Sequence, residues 1–408
     1  MGQTSFIHPA QGVLFAEGIS LEAIAKEFGT PTYVYSKNTL IQTFESFKKG
    51  LLKTDHLICF AVKANSNIAI LNLFASLGAG FDIVSGGELE RVIYAGGDPQ
   101  KIVFSGVGKT ESEIVVALKA NILCFNVESR SELIRIQEVA EKINIRASIS
   151  IRVNPDVDAK THPYISTGLK DNKFGVDFNQ ALSLYLDAKS MSYIDIKGID
   201  CHIGSQITEL KPFLDALDRV LSLVDQLKKN NIHLSHIDIG GGIGICYQDE
   251  SPPDFEIYIK EILNKIKDLN VKIIFEPGRA LVGNAGVLLS KVEYLKQNDI
   301  KHFAIIDAAM NDLMRPTLYD AYHEIKLVRE HDAKPQSFDV VGPVCESGDF
   351  IAKNRSLKLK ENDLICIMSA GAYGMSMSSN YNSRGRAAEV MVDQDKLYEI
   401  RTREKSSD

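Results

Sequence analysis

The run LICFAVKANSNIAILNLFASLGAGFDIVSGGELERVIYAGGDPQKIVF, from Leu57 to Phe104, decides the fold. Its apolar, β-rich pieces Leu57–Val62, Phe81–Val84 and Ile102–Phe104 read as strands. The amphipathic pieces between them, Ile68–Leu77 and Glu88–Ala95, read as helices. Strands that are apolar throughout, without alternation, belong to a parallel sheet covered on both faces. The rhythm continues through Leu123–Val127, Ala147–Val153, Ile194–His202, His236–Ile239 and Val271–Phe275, with helical stretches at Glu111–Ala120, Ser131–Lys142 and Pro212–Lys229. Eight such strands over about 220 residues predict a closed (β/α)8 barrel of the TIM type, with an open doubly wound α/β sheet as the alternative.

The rhythm changes after residue 286. Short runs at Val287–Leu295, His302–Ile306, Phe338–Val341, Leu364–Met368, Ala387–Val392 and Leu397–Ile400, separated by turns, predict a mostly antiparallel C-terminal β domain. Thr32–Tyr35 is a further short strand ahead of the barrel and a candidate to pair with that domain. The expected organisation is a barrel over residues 37–286 and a β-sandwich or β-barrel domain built from residues 1–36 and 287–408.

Bulk properties exclude some functions. The chain has 408 residues, is 45% hydrophobic and 24% charged, and carries a net charge of −7, so its overall field favours neither nucleic acid nor an anionic membrane. The first residues lack a basic segment followed by an apolar one, and no signal peptide is expected. The six cysteines (59, 124, 201, 246, 345 and 366) are scattered without a CxxC pair. That pattern argues against a zinc ribbon, fits reduced thiols in a cytoplasm, and leaves no metal expected.

Three motifs mislead. Gly106-Val107-Gly108-Lys109-Thr110 ends like a phosphate-binding P-loop, but the earlier glycine that loop requires is Val103. Gly242-Ile243-Gly244 begins like a dinucleotide fingerprint, whose last glycine is replaced by Tyr247. His233 and His236 have no ligand partners at metal spacing and read as surface and core residues.

A barrel carries its chemistry at the C-terminal ends of its strands, and here nearly every end is polar. Strand one ends in Lys63-Ala64-Asn65. Strand two carries Asp82 and ends at Ser85-Gly86-Gly87. The later ends are Arg152-Val153-Asn154, His202-Ile203-Gly204-Ser205, Asp238-Ile239-Gly240-Gly241-Gly242 and Glu276-Pro277-Gly278-Arg279. Each alone reads blandly, as a solvated lysine, a turn or a packed histidine. Converging on one face, they describe a pyridoxal phosphate site. A lysine in a barrel mouth can form a Schiff base. Three glycines let several N–H groups approach a phosphate. A glutamate facing a pyridine nitrogen keeps it protonated, so that the ring accepts an electron pair.

On these residues the chain resembles the barrel-type pyridoxal-phosphate decarboxylases, and among them the bacterial branch that acts on diaminopimelate. The matching blocks are Phe60-Ala61-Val62-Lys63-Ala64-Asn65, Phe81-Asp82-Ile83-Val84-Ser85-Gly86-Gly87-Glu88, His202-Ile203-Gly204-Ser205-Gln206, Gly240-Gly241-Gly242, Glu276-Pro277-Gly278-Arg279, Met314-Arg315-Pro316, Cys345-Glu346-Ser347-Gly348-Asp349 and Gly371-Ala372-Tyr373-Gly374. They run through almost the whole chain in the family's order.

The resemblance implies the following roles. Lys63 carries pyridoxal 5'-phosphate, Asp82 sits near it, and His202 stacks on the ring. Ser205 and Gly240, Gly241 and Gly242 hold the phosphate, with Gly278, Arg279 and Tyr373 nearby. Glu276 pairs with the ring nitrogen. Arg279 and Arg315, assisted by Tyr319, hold the distal carboxylate of the substrate; Glu346 takes its distal ammonium, with Tyr373 at the substrate. Cys345 returns the proton. The resemblance also implies a homodimer with shared active sites, in which the Cys345–Glu346 segment reaches the neighbouring subunit. The implied reaction is decarboxylation of meso-2,6-diaminopimelate to L-lysine, the last step of bacterial lysine biosynthesis.

Two arginines suit a substrate with a distal carboxylate and would repel the distal ammonium of ornithine or lysine. Carboxynorspermidine is the nearest alternative substrate. An alanine-racemase-like protein shares barrel and cofactor but needs bases on both faces of Cα, and a dead regulator would have lost Lys63 or Cys345. The segment Asp156–Lys173, with Gly168 as a hinge, is a candidate lid, with an inert connection as the equal alternative.

Overall fold

The computed structural model describes residues 6–158, 162, 167–168, 172–405 and 407–408. The candidate lid therefore falls largely outside the described residues. The chain divides into two compact units, one of Thr43–Gly244 with Ser251–Ala280, the other of Met1–Gln42, Ile245–Glu250 and Leu281–Asp408.

The first unit is the barrel. Its strands are β1 (His56–Ala61), β2 (Gly80–Ile83), β3 (Ile102–Phe104), β4 (Cys124–Val127), β5 (Ala147–Asn154), β6 (Ile194–Asp200), β7 (His236–Asp238) and β8 (Lys272–Phe275). Every neighbouring pair is parallel, and β8 closes onto β1 with Ile274 opposite Leu57. Closure removes the open-sheet alternative. Side-chain caps fix where several of the helices after the strands begin: Asn67, Ser85, Thr110, Ser129 and Asp254 all accept a backbone N–H at a helix start. Each cap contributes about 1 kcal/mol. The P-loop mimic is part of this scaffold. Lys109 is buried, with Nζ donating to Gly106 O, Asn126 O and Glu132 Oε1 at 2.7–2.8 Å, and Thr110 forms a capping box with Glu113.

The second unit is mostly antiparallel. Thr32–Ser36 lies between Gly286–Gln297, antiparallel to it, and Ala388–Asp393, parallel to it. Lys396–Arg401 hairpins onto Ala388–Asp393. A separate three-stranded sheet, Ile7–Ala10, Val13–Ala16 and Ile19–Ser20, covers part of this unit's core. That small sheet and the strand Phe350–Leu357 have no counterpart among the runs read from the sequence. In Phe350–Leu357 the opening apolar residues stop at Ala352 and none follows until Leu357, and Lys353 and Asn354 face solvent, so neither alternation nor a continuous apolar run marks it.

Candidate active site

The barrel interior is layered by the two-residue period of its strands. A lower layer packs Leu57, Cys59, Val103, Cys124 and Ile274. Two residues further along the same faces come Asn126 after Cys124, Asp238 after His236, and Glu276 after Ile274. The apolar core thus gives way to a buried polar floor, with Asp82, Asn126, Ser150, Arg152, Asp200, Asp238 and Glu276 all buried.

Lys63 stands on a single 3₁₀ turn, Val62–Ala64, after β1. Its ammonium pairs with Asp82 Oδ2; the lysine side chain is 37% exposed and the carboxylate fully buried. Asp82 Oδ1 has no hydrogen-bond partner among the described residues. The amine is thus reachable while its counter-ion is fixed.

His202, half-buried after β6, accepts the Gly241 N–H at Nδ1 across 3.2 Å. Burial, then the nearby Arg152 and Lys63 charges, push its imidazolium form well below the usual range. A neutral ring with Nδ1 as acceptor carries its hydrogen on Nε2. The glycine turn after β7 admits no side chains. A Cβ on Gly241 would lie 2.1 Å from Glu276 O, and one on Gly242, at φ +111°, 2.5 Å from Gly204 O. Beside it, Arg279 Nη2 donates to Ser205 Oγ at 3.1 Å.

Glu276, just past β8, accepts from Asn126 Nδ2 at 3.3 Å. Its carboxyl is raised well above the usual range by burial first, then by Asp238, Asp82 and Asp200. Asp238 Oδ1 accepts the Gly240 N–H at 2.8 Å. Arg152 reaches Glu128 at 3.2 Å and stands 3.8 Å from Asp200.

The second unit holds the remaining residues. Arg315, buried, opens the short helix Arg315–Tyr319. Its guanidinium lies 4.4 Å from the Tyr247 ring centroid, and Nη1 is 2.9 Å from His323 Nε2. Tyr247 and His323 pack edge to face. Cys345 and Glu346 are exposed in a turn clamped by Asp349, whose carboxylate accepts from Met310 N at 2.7 Å and Val344 N at 2.9 Å. Asn382 Oδ1 accepts the Cys345 N–H at 2.8 Å. Tyr373 is held at φ +54°, a conformation rare for a side-chain-bearing residue and often seen at functional sites.

The structure therefore brings Lys63, Asp82, His202, Ser205, Gly240–Gly242, Glu276, Gly278 and Arg279 together at one end of the barrel. Arg315, Tyr319, Cys345, Glu346 and Tyr373 lie in the other unit. Reasoning from the sequence missed Asn126, Tyr247 and His323. Asn126 sits inside the apolar run Leu123–Val127, and a polar residue there was its only signal.

Residues 37–283 match the pyridoxal-binding domain of the pyridoxal-dependent decarboxylases. A diaminopimelate decarboxylase of Pseudomonas aeruginosa is 56% identical over 391 residues, 96% of this chain and 94% of that one. One of Vibrio cholerae is 55% identical over 403 residues, 98% and 97% of the two chains. Among solved structures, diaminopimelate decarboxylase of Helicobacter pylori in complex with L-lysine superposes with a TM-score of 0.91 at 45% identity, covering 95% of this chain and 97% of that one.

Proposed function

We infer, from the premise that this chain belongs to the pyridoxal-dependent decarboxylase family, that it converts meso-2,6-diaminopimelate to L-lysine and carbon dioxide, the last step of bacterial lysine biosynthesis. One observation in the structure carries the reading: Lys63 against buried Asp82 at the end of β1, on the strand next to β8, which Glu276 follows. Ornithine and carboxynorspermidine are not favoured.

Pyridoxal 5'-phosphate fits the residues present. Lys63 would hold it, the side-chain-free Gly240–Gly242 turn and Ser205 would take its phosphate with Gly278, Arg279 and Tyr373 nearby, and His202 would cover its ring. Glu276 would meet its ring nitrogen. When bound, the group supplies an electron-poor ring that accepts the electron pair left as the bond from Cα to the carboxylate breaks. Asp82 keeps the Lys63 amine oriented. His202, neutral, adds no positive charge beside it. Arg279 and Arg315, with Tyr319, hold the distal carboxylate, and Glu346 and Tyr373 orient the distal amino acid group. The loss of carbon dioxide leaves one proton to be added at Cα, and Cys345 holds that proton.

The assembly read here is a cytoplasmic homodimer in which Cys345 and Glu346 complete the partner's site. The exposure of both side chains in the single chain supports that role. Among the described residues no helix is long and apolar enough to cross a membrane. The test is a product assay of the loaded protein on meso-diaminopimelate, ornithine, lysine and carboxynorspermidine side by side. Lysine from the first alone is expected; faster turnover of any other would overturn the assignment.

A further inference from the structure

The turn that ends the short helix Arg315–Tyr319 brings His323 to Arg315. Asp320, at φ +50°, closes the helix with its N–H on Arg315 O, and the chain returns through Ala321 and Tyr322. His323 then precedes the strand Ile325–Leu327, which pairs antiparallel with Leu364–Ile367, Ile325 opposite Ile367. The Met368 N–H extends that pairing onto Glu324 O at 2.8 Å, which sets Met368 beside the ring. His323 is fully buried there, with Nδ1 2.8 Å from Met368 O and Nε2 2.9 Å from Arg315 Nη1.

A ring that only tied the two strands together would use Nδ1 alone. Nε2 instead meets a cation. With the ring's hydrogen committed to Met368 O, Nε2 is a neutral acceptor, which turns the guanidinium without cancelling its charge. A carboxylate in that place would orient the arginine as well, but would compete with any anion brought to it. Tyr247 supports the other coordinate. Its ring centroid lies 4.4 Å from the Arg315 guanidinium carbon, and it meets the His323 ring edge to face, with centroids 5.4 Å apart. The turn that carries Tyr247 is clasped by Glu250, whose Oε2 accepts from Tyr247 N and Gln248 N at 2.8 Å each. All four residues belong to the same unit.

We propose that His323 and Tyr247 are positioning residues that aim Arg315 at the distal carboxylate of the substrate. His323 accepts from one edge of the guanidinium and Tyr247 supports its face. Both act through the arginine, so the proposal rests on the reading of Arg315 as the carboxylate grip.

Kinetics of the cofactor-loaded protein on diaminopimelate test it. His323→Leu is near in size and removes both hydrogen bonds. KM should rise about tenfold or more, the scale of one hydrogen bond to a charged group, with kcat within about threefold of wild type and the visible absorption of the cofactor retained. His323→Gln keeps an acceptor and a donor, and should bring KM back to within about threefold of wild type. Tyr247→Leu leaves the His323 bonds in place and should raise KM in the same direction; it decides even if His323→Leu fails to fold. A ring with only a structural role would lower stability and leave KM alone. Unchanged KM in His323→Leu or in Tyr247→Leu, or equal losses in His323→Leu and His323→Gln, would overturn the proposal. In an Arg315→Lys background His323→Leu should raise KM by a smaller factor than in wild type, because an ammonium has no plane to fix. An equal factor in both backgrounds would overturn action through the arginine. Unchanged KM in Arg315→Lys alone would instead strike the reading of Arg315 as the grip.

Discussion

Arg315 Nη1 donates to His323 Nε2 across 2.9 Å, while His323 Nδ1 lies 2.8 Å from the carbonyl oxygen of Met368. The carbonyl only accepts, so Nδ1 carries the hydrogen and Nε2 is the bare acceptor that arginine requires. With Tyr247 beneath it, the guanidinium is fixed in plane and direction, as a bidentate grip on a carboxylate demands.

Arg315→Lys keeps the charge but loses the planar fork. Binding of diaminopimelate should weaken by about 1–3 kcal/mol, read as a raised KM. Unchanged KM and rate would remove Arg315 from the substrate grip.

Lys63→Ala should abolish the visible absorption of the bound cofactor and nearly all turnover, because the amine that holds it is gone. A normal spectrum with full activity would show that another lysine carries the cofactor.

Gly241→Ala tests the glycine turn. The added Cβ would lie 2.1 Å from the carbonyl oxygen of Glu276, so either the turn or β8 must shift. Affinity for pyridoxal 5'-phosphate should fall by about tenfold or more in equilibrium dialysis. Wild-type affinity would mean that the turn does not hold the phosphate.

The barrel was legible because its strands are apolar throughout: the eight runs read from the sequence coincide with β1–β8 to within a residue or two at most ends. Polar strand ends were legible for the same reason, since Lys63, His202 and Glu276 interrupt apolar text. Which polar residues face inward together was not. In β6, Asp195 is partly exposed and Asp200 buried, and only the pairing of Asp200 with Arg152 and Asp238 distinguishes them. His323 was hidden in the same way, because its neighbours Arg315, Tyr247 and Met368 are brought to it by the fold. In the second unit, Phe350–Leu357 escaped detection because a strand with a solvated half carries no apolar run.

Glu88 links the scaffold to pH. Its Oε2 accepts the Val84 N–H at 2.7 Å, and burial raises its carboxyl to about 7. An acid raised in the folded state favours folding while protonated, and that stability is lost as pH rises from the usual carboxylate range through about 7. Glu88→Gln does not titrate. Urea unfolding of cofactor-free protein should therefore show the variant gaining on wild type by about 1–3 kcal/mol between pH 5 and pH 8. A constant difference across that window would contradict the assignment.

The central claim is that Lys63 of one subunit and Cys345 of its partner serve one reaction. Its most direct measurement is diaminopimelate decarboxylation after mixing Lys63→Ala and Cys345→Ala proteins under subunit exchange. Each variant alone should be nearly inactive, Cys345→Ala by roughly 10²–10⁴-fold. Random exchange makes about half of the dimers hybrid, each with one intact site, so up to about a quarter of wild-type activity should return. No recovery, with exchange demonstrated in the same sample, would contradict the claim.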